Sequence, residues 1–124
     1  MTERRAVIAM HNPSLRELMK VRMEMLDYDP ISCTNADELR TALSTPTDAL
    51  VMDLNFERPG AVDDEPARNA YASAVTLNQN VKMVAVSGKA ETVSLGRRTF
   101  EDNDHVEIKS NVDSSYTFLS EFFA

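Results

Sequence analysis

The stretch that most constrains this chain is Asp48-Ala49-Leu50-Val51-Met52-Asp53-Leu54-Asn55. Ala49 to Met52 carries no polar residue, has the length of a strand and is too short for a helix. A strand without a polar face has to be covered on both sides, as in a parallel sheet between helical layers. Asp53 then stands at the carboxyl end of that strand. In open α/β sheets, ligands bind outside the carboxyl ends of the strands. Asp53 is therefore the first candidate for chemistry.

The rest of the sequence repeats the same alternation. Ala6–Met10 reads as the first strand. Asn12 and Pro13 cap and start a helix over 13–27, with Leu15, Leu18, Met19, Met23 and Leu26 at helical spacing. Pro30–Cys33 is a short second strand. Asn35 caps a second helix whose apolar face is Ala36, Leu39 and Leu43, and Pro46 closes that region. The third strand covers 48–54. From Phe56 to Pro66 the chain is polar, acidic and irregular, with a turn at Pro59-Gly60. Ala67, Ala70, Tyr71, Ala74 and Leu77 line a third helix. Val81–Val86 is the fourth strand and Ala90 to Phe100 the fourth helix. His105–Lys109 is the fifth strand. Asp113 is the expected cap of a fifth helix, with Tyr116, Leu119 and Phe123 inward. Five strand–helix units imply a parallel sheet with helices on both faces. No repeat, low-complexity tract or linker interrupts them, so residues 1–124 read as one domain.

Charge and composition narrow the function classes. A net charge of −7 argues against nucleic acid or an anionic membrane as the main partner. No apolar run has transmembrane length, and Met1-Thr2-Glu3-Arg4-Arg5 leads into no signal-type segment. Cys33, the single cysteine, has no internal disulfide partner, which fits a reducing cytoplasm. None of the three glycines lies in the first strand-to-helix turn, so no dinucleotide or P-loop fingerprint is present.

Three strand ends belong together: Asp53 ends the third strand, Ser87 the fourth and Lys109 the fifth. In a parallel sheet these side chains meet at one edge. With Val51-Met52-Asp53-Leu54-Asn55, Val86-Ser87-Gly88 and Ile108-Lys109, plus Pro13 and Arg16 in the first helix, the whole chain resembles the receiver domain of two-component response regulators. The resemblance implies a flavodoxin-like, CheY-like fold with strand order 2-1-3-4-5. It implies Asp53 as phosphoacceptor from a histidine kinase, with Ser87 and Lys109 on the phosphoryl oxygens. The Lys109 ammonium is expected within ~6 Å of the Asp53 carboxylate. A signalling protein is the implied partner, a histidine kinase or an output domain. The helix 4–strand 5–helix 5 face, with Arg97 and Arg98, is the implied docking surface.

The same resemblance exposes departures. The family's two acids at the end of the first strand, which hold Mg²⁺, are Met10 and His11 here. Of the family's ligands only Asp53 and the Asn55 carbonyl are left, and thioether and imidazole suit Mg²⁺ poorly. Mg²⁺ is therefore expected to bind weakly or not at all. Phosphoryl transfer depends on charge neutralisation at the transferring group, so it should be slow or absent. A loss of ~4 kcal/mol would slow it on the order of 10³-fold. The aromatic switch residue three before the lysine is Val106, which has no ring to swing and one dominant rotamer. The proline after the lysine is Ser110, where a cis bond would cost ~3 kcal/mol. Phe56-Glu57 stands where a Met-Pro pair is expected, so the loop to Pro66 is predicted to be reshaped and mobile.

The reading that follows is a receiver-like module, not an enzyme, acting through protein contacts largely without phosphorylation. A working receiver phosphorylated on Asp53 is the alternative. A flavodoxin-like binder of a small ligand is a more remote one. The simplest reading of Ser87 is a strand-end hydroxyl bonding nearby backbone. For His11, His105, Cys33, the Asp63-Asp64-Glu65 run and the helix 1 methionines, it is solvation or packing.

Overall fold

The local start signals act as the sequence predicts. Asn12 accepts hydrogen bonds from the Ser14 and Leu15 N–H groups, ahead of Pro13. Asn35 accepts from the Glu38 N–H. The computed structural model describes residues 4–112 and 115–124. Its elements are β1 (Arg4–Ala9), α1 (Pro13–Met25), β2 (Tyr28–Cys33), α2 (Ala36–Leu43) and β3 (Ala49–Asp53). They continue as α3 (Glu65–Leu77), β4 (Lys82–Val86), α4 (Ala90–Thr99), β5 (Val106–Lys109) and α5 (Tyr116–Phe122). All neighbouring strands are parallel and the order is β2-β1-β3-β4-β5, as expected.

Boundaries differ where polar anchors extend an element. β1 begins at Arg4 rather than Ala6, because the Arg5 N–H reaches the Asp48 carboxylate (2.8 Å) and the Arg5 guanidinium reaches the Ala42 carbonyl (2.7 Å). Helix α1 ends at Met25, just before Asp27, which has a positive φ of 66°. Helix α3 begins at Glu65, with Pro66 in its first turn, where no N–H is needed. The expected cap Asp113 lies outside the described residues; the Ser115 hydroxyl accepts from the Phe118 N–H and starts α5.

Strand alternation divides the core into two layers. Val7, Leu50, Met52, Met83 and Ile108 face α2, α3 and α4. Ala6, Ile8, Val51, Val84 and Val86 face α1 and α5, where Met19, Met23, Leu119 and Phe123 close the layer. β3 contributes to both, and Ala49 to Met52 are all buried.

The loop after β3, expected to be reshaped and mobile, is tied down by hydrogen bonds and burial. Leu54 donates its N–H to the Val86 carbonyl (2.8 Å) and is fully buried. Asn55 Nδ2 donates to the Ala61 carbonyl (3.0 Å), which also accepts from Thr92 Oγ1 of α4 (3.4 Å). Phe56 and Asp64 are buried. The Asp64 carboxylate accepts from Arg68 Nε (2.9 Å) and from the Thr99 hydroxyl at the end of α4. Asp64 is thus a buried, satisfied acid rather than part of a solvated acidic run.

Helix α4 also rests directly on β3's exit. A Cβ at Gly96 would lie 3.0 Å and 3.2 Å from the two δ-carbons of Leu54, and 3.4 Å from Ile108 Cγ2. Leu54 has no solvent to swing into. Gly96→Leu gains about 1 kcal/mol of helix propensity, against an overpacking cost of about 1–3 kcal/mol. Chemical denaturation should show a net destabilisation of up to about 2 kcal/mol.

Candidate functional site

Parallel register brings the strand ends together. Ala9 pairs with Met52 across β1 and β3, and Asp53 pairs with Val86 across β3 and β4. His11 therefore follows β1 on one side of Asp53, and Ser87 follows β4 on the other. With Asn55, Pro59, Gly60, Gly88 and Lys89 they line a cleft of about 250 Å³. It lies at the carboxyl edge of the sheet beside the β1–β3 switch point.

Asp53 is mostly buried. Its Oδ2 accepts the backbone N–H of His11 at 2.7 Å and lies 3.8 Å from His11 Nε2. Burial pushes its carboxyl above the usual carboxylate range, and the His11 N–H and imidazole only partly offset this. The His11 ring stacks on Phe56, with centroids 5.2 Å apart and planes at 21°. Its Nε2 is 3.4 Å from the Asn55 carbonyl oxygen. Ser87 Oγ accepts the Lys89 N–H at 3.1 Å, the local strand-end turn that its simplest reading predicts.

Lys109 differs from expectation. Asp53 pairs with Val86 and Val86 with Lys109, so the two α-carbons are two strand spacings apart, ~10 Å. A lysine could span part of that gap, but its Nζ instead lies 4.2 Å from the centroid of the Phe118 ring on α5. A cation over an aromatic face is held there by the ring quadrupole. Among the described residues no ion pair joins Lys109 to Asp53. The lysine that does line the cleft is Lys89, which the sequence reading passed over. Its position two residues after Ser87, at the start of α4, was the available signal.

Met10 is not in the cleft. It is 1% exposed, packed with the α1–α5 layer, while its carbonyl accepts from Arg16 Nη1 at 2.8 Å. Val106 is buried in the other layer, opposite Met83. Arg97 and Arg98 are exposed on α4, and Arg97 Nη2 reaches the Ile108 carbonyl at 3.4 Å. Arg97 lines a second cleft of about 410 Å³ between α4 and β5, with Phe100, Glu101, Asn103, Asp104, Val106, Glu107 and Ile108. The second histidine, His105, lines neither cleft, and Cys33 is buried with its thiol pushed up to about 11, mainly by burial.

Comparisons with known proteins fit this geometry. A response regulator protein from Burkholderia pseudomallei, in a structure with a phosphorylated aspartic acid, a calcium ion and citrate, superposes with a TM-score of 0.65 at 14% identity. The match covers 95% of this chain and 66% of that one. The response regulator protein TrrA from Thermotoga maritima, in complex with Mg²⁺ and BeF, gives 0.61 at 17% identity, covering 95% of this chain and 94% of that one. The fold is that of a response-regulator receiver. No family model matches the sequence, and no curated protein matches it. At these identities the likeness is one of fold. Among the described residues no helix is long and apolar enough to cross a membrane.

A receiver fold implies a hard divalent cation beside Asp53, and the residues here do not fit one. A core thioether and an imidazole stand where two carboxylates would be needed, leaving one carboxylate and the Asn55 carbonyl.

Two outcomes follow. Met10→Asp would bury an unpaired charge, so it should cost at least about 3 kcal/mol in a denaturation series. Asp53→Asn should stabilise the protein at neutral pH. The folded Asp53 carboxyl holds its proton to a higher pH than the unfolded one. Stability therefore falls as pH rises from the unfolded value through the folded one, and the cost is full above both. The gain from Asp53→Asn should be largest at neutral pH and vanish below the ordinary carboxylate range, as read by denaturation across pH.

Proposed function

We propose that this protein is a receiver-like signalling module of the two-component type that works mainly by protein–protein contact, without depending on phosphorylation. The observation that carries this reading is the fate of the first-strand acid positions. Met10 is packed in the core and His11 presents an imidazole, so neither position supplies an anionic oxygen and Asp53 is left as the one carboxylate for a phosphoryl-transfer metal. The rest of the switch is missing in the same sense. Lys109 is held over Phe118, Ser87 is engaged by Lys89, and Val106 carries no ring that could follow a strand 4 hydroxyl. Mg²⁺ binding is then no tighter than millimolar, and nothing here calls for an enzymatic activity.

The partner is a signalling protein, a histidine kinase or an output domain, met on the α4–β5–α5 face. Support comes from Arg97 and Arg98, an exposed cationic pair on a chain of net charge −7, beside the α4–β5 cleft. Charges at the rim of an interface act mainly on association rate and its salt dependence. A second reading, a working receiver phosphorylated on Asp53, draws on Asp53 and Ser87 sharing one cleft.

Treatment with a small phosphodonor and Mg²⁺ should give no mass gain on Asp53 and leave partner binding unchanged. Partners captured by the wild-type protein should bind the Arg97→Ala/Arg98→Ala variant with association slowed about tenfold at low salt and a flatter salt response. A mass gain at Asp53 that alters binding would establish the second reading instead. Unchanged association of the double variant would move the interface off α4.

A further inference from the structure

At the edge of the sheet away from α4, Ile31, Ser32 and Cys33 of β2 and Glu38, Thr41 and Ala42 of α2 line a cleft of about 590 Å³. Small-molecule pockets run to ~300–1,000 Å³ and combine apolar walls with a few placed polar groups. Ile31, Cys33 and Ala42 supply the apolar part here, and Ser32 and Thr41 add hydroxyls.

The two ends of this cleft carry opposite charge. At one end is Arg5, whose Nη1 donates to the Ala42 carbonyl (2.7 Å), the Thr45 carbonyl (3.4 Å) and the hydroxyl of the fully buried Thr47 (3.2 Å). All three acceptors are neutral, and among the described residues no carboxylate pairs with the guanidinium. The guanidinium is a planar fork of donors, so the N–H groups of Nη2 and Nε remain for another acceptor. At the other end is Glu38. Its Oε1 accepts the hydroxyl and the N–H of Thr34, at 2.6 Å each, which holds its carboxyl below the usual range. Asp37, on the same rim, is paired with Arg40. Arg5 and Glu38 also answer the two ends of the α2 dipole, but a helix end offers roughly half an elementary charge, so neither full charge is balanced.

The spacing of the two charges sets the length of an occupant. Helix α2 has eight residues, so its ends stand ~12 Å apart, and a hydrogen bond of ~3 Å at each leaves ~6 Å between the occupant's own charges. The strand edge argues against a peptide. The N–H and carbonyl of Arg5 both turn to Asp48, on the β3 side. Alternation then turns Arg4, Ala6 and Ile8 toward β2, and the residues directly opposite them, Tyr28, Pro30 and Ser32, turn their backbone groups outward. Pro30 has no N–H, so a strand added here would lose the middle bond of its ladder.

We propose that the α2–β2 cleft binds a small zwitterion, with its carboxylate on Arg5, its ammonium on Glu38 and its aliphatic chain over Ile31 and Cys33. The site shares no lining residue with the strand-end cleft or the α4–β5 cleft, so it stands or falls apart from the receiver reading.

The probe is δ-aminovalerate, with valerate and pentylamine as its two halves, titrated into the whole 124-residue chain and read by calorimetry and amide NMR. δ-Aminovalerate should bind with a millimolar dissociation constant or tighter. It should shift the amides of Ile31, Cys33 and Glu38 and leave those of His11, Asp53 and Lys89 in place. Each half should bind at least about tenfold more weakly, since each forgoes one charge-assisted contact. Arg5→Gln should lower δ-aminovalerate affinity at least about tenfold and leave pentylamine unchanged, and Glu38→Gln should do so with valerate unchanged. Thr41→Trp, at an exposed position on the rim, should block binding with both charges still present. The proposal is overturned if either half binds as tightly as the whole, if the shifts centre on the strand-end cleft, or if nothing binds at tens of millimolar. It is also overturned if tetraalanine binds more tightly than δ-aminovalerate, which would give the edge to a peptide strand. The shift map of the wild-type chain needs no variant to fold.

Discussion

Burial of β3 on both faces is the constraint on which the molecule rests. A strand whose residues alternate between two apolar layers has no tolerance for a register slip, because a one-residue shift would exchange the layers. With β3 fixed, its neighbours β1 and β4 are fixed by parallel pairing, and their ends bring His11 and Ser87 to either side of Asp53. The polar lock at the other end of the strand reinforces this. Asp48 accepts from the Arg5 N–H and from Asn78 Nδ2 (3.1 Å), so the start of β3 is tied to both β1 and the end of α3.

At the carboxyl end the electrostatics differ from those of a charge-balanced site. Asp53 is sheltered from water, and among the described residues the group that lowers its proton affinity is His11, through an N–H bond and a partly exposed imidazole. Lys109 contributes its charge elsewhere, over Phe118. The carboxylate is consequently kept ionised less well than one beside an ammonium would be, and it gains by any cation that joins it.

Much of this was legible in the sequence, because the informative signals were local. Asn12-Pro13 and Asn35 announce helix starts by backbone chemistry confined to a few residues, and Ala49 to Met52 announce a covered strand by composition alone. The placement of Asp53 and Ser87 in one cleft follows from strand order and needs no side-chain detail. What lay beyond reach depends on which way a long or flexible side chain turns. Lys109 has two attractions, a carboxylate two strands away and an aromatic face on the next helix, and spacing cannot rank them. Met10 has to be seen in its packing before it is recognised as core. Asp64 reads as one acid among three neighbours until Thr99, 35 residues later, is found bonded to it.

Asn55 faces two ways. Its backbone carbonyl lies beside the His11 imidazole, and its side-chain amide holds Ala61, whose carbonyl also takes the Thr92 hydroxyl of α4. Leu54, one residue earlier, carries the weight of α4 at Gly96. The cleft and α4 therefore meet at two adjacent residues, Asn55 lining the one and Leu54 packing against the other. Thermodynamic reciprocity then binds them: the factor by which an occupant of the cleft alters the grip of a protein on α4 equals the factor by which that protein alters the hold on the occupant. A coupling of ~1.4 kcal/mol carried by this short chain of contacts would be worth tenfold in either direction, with no aromatic relay in β5 required.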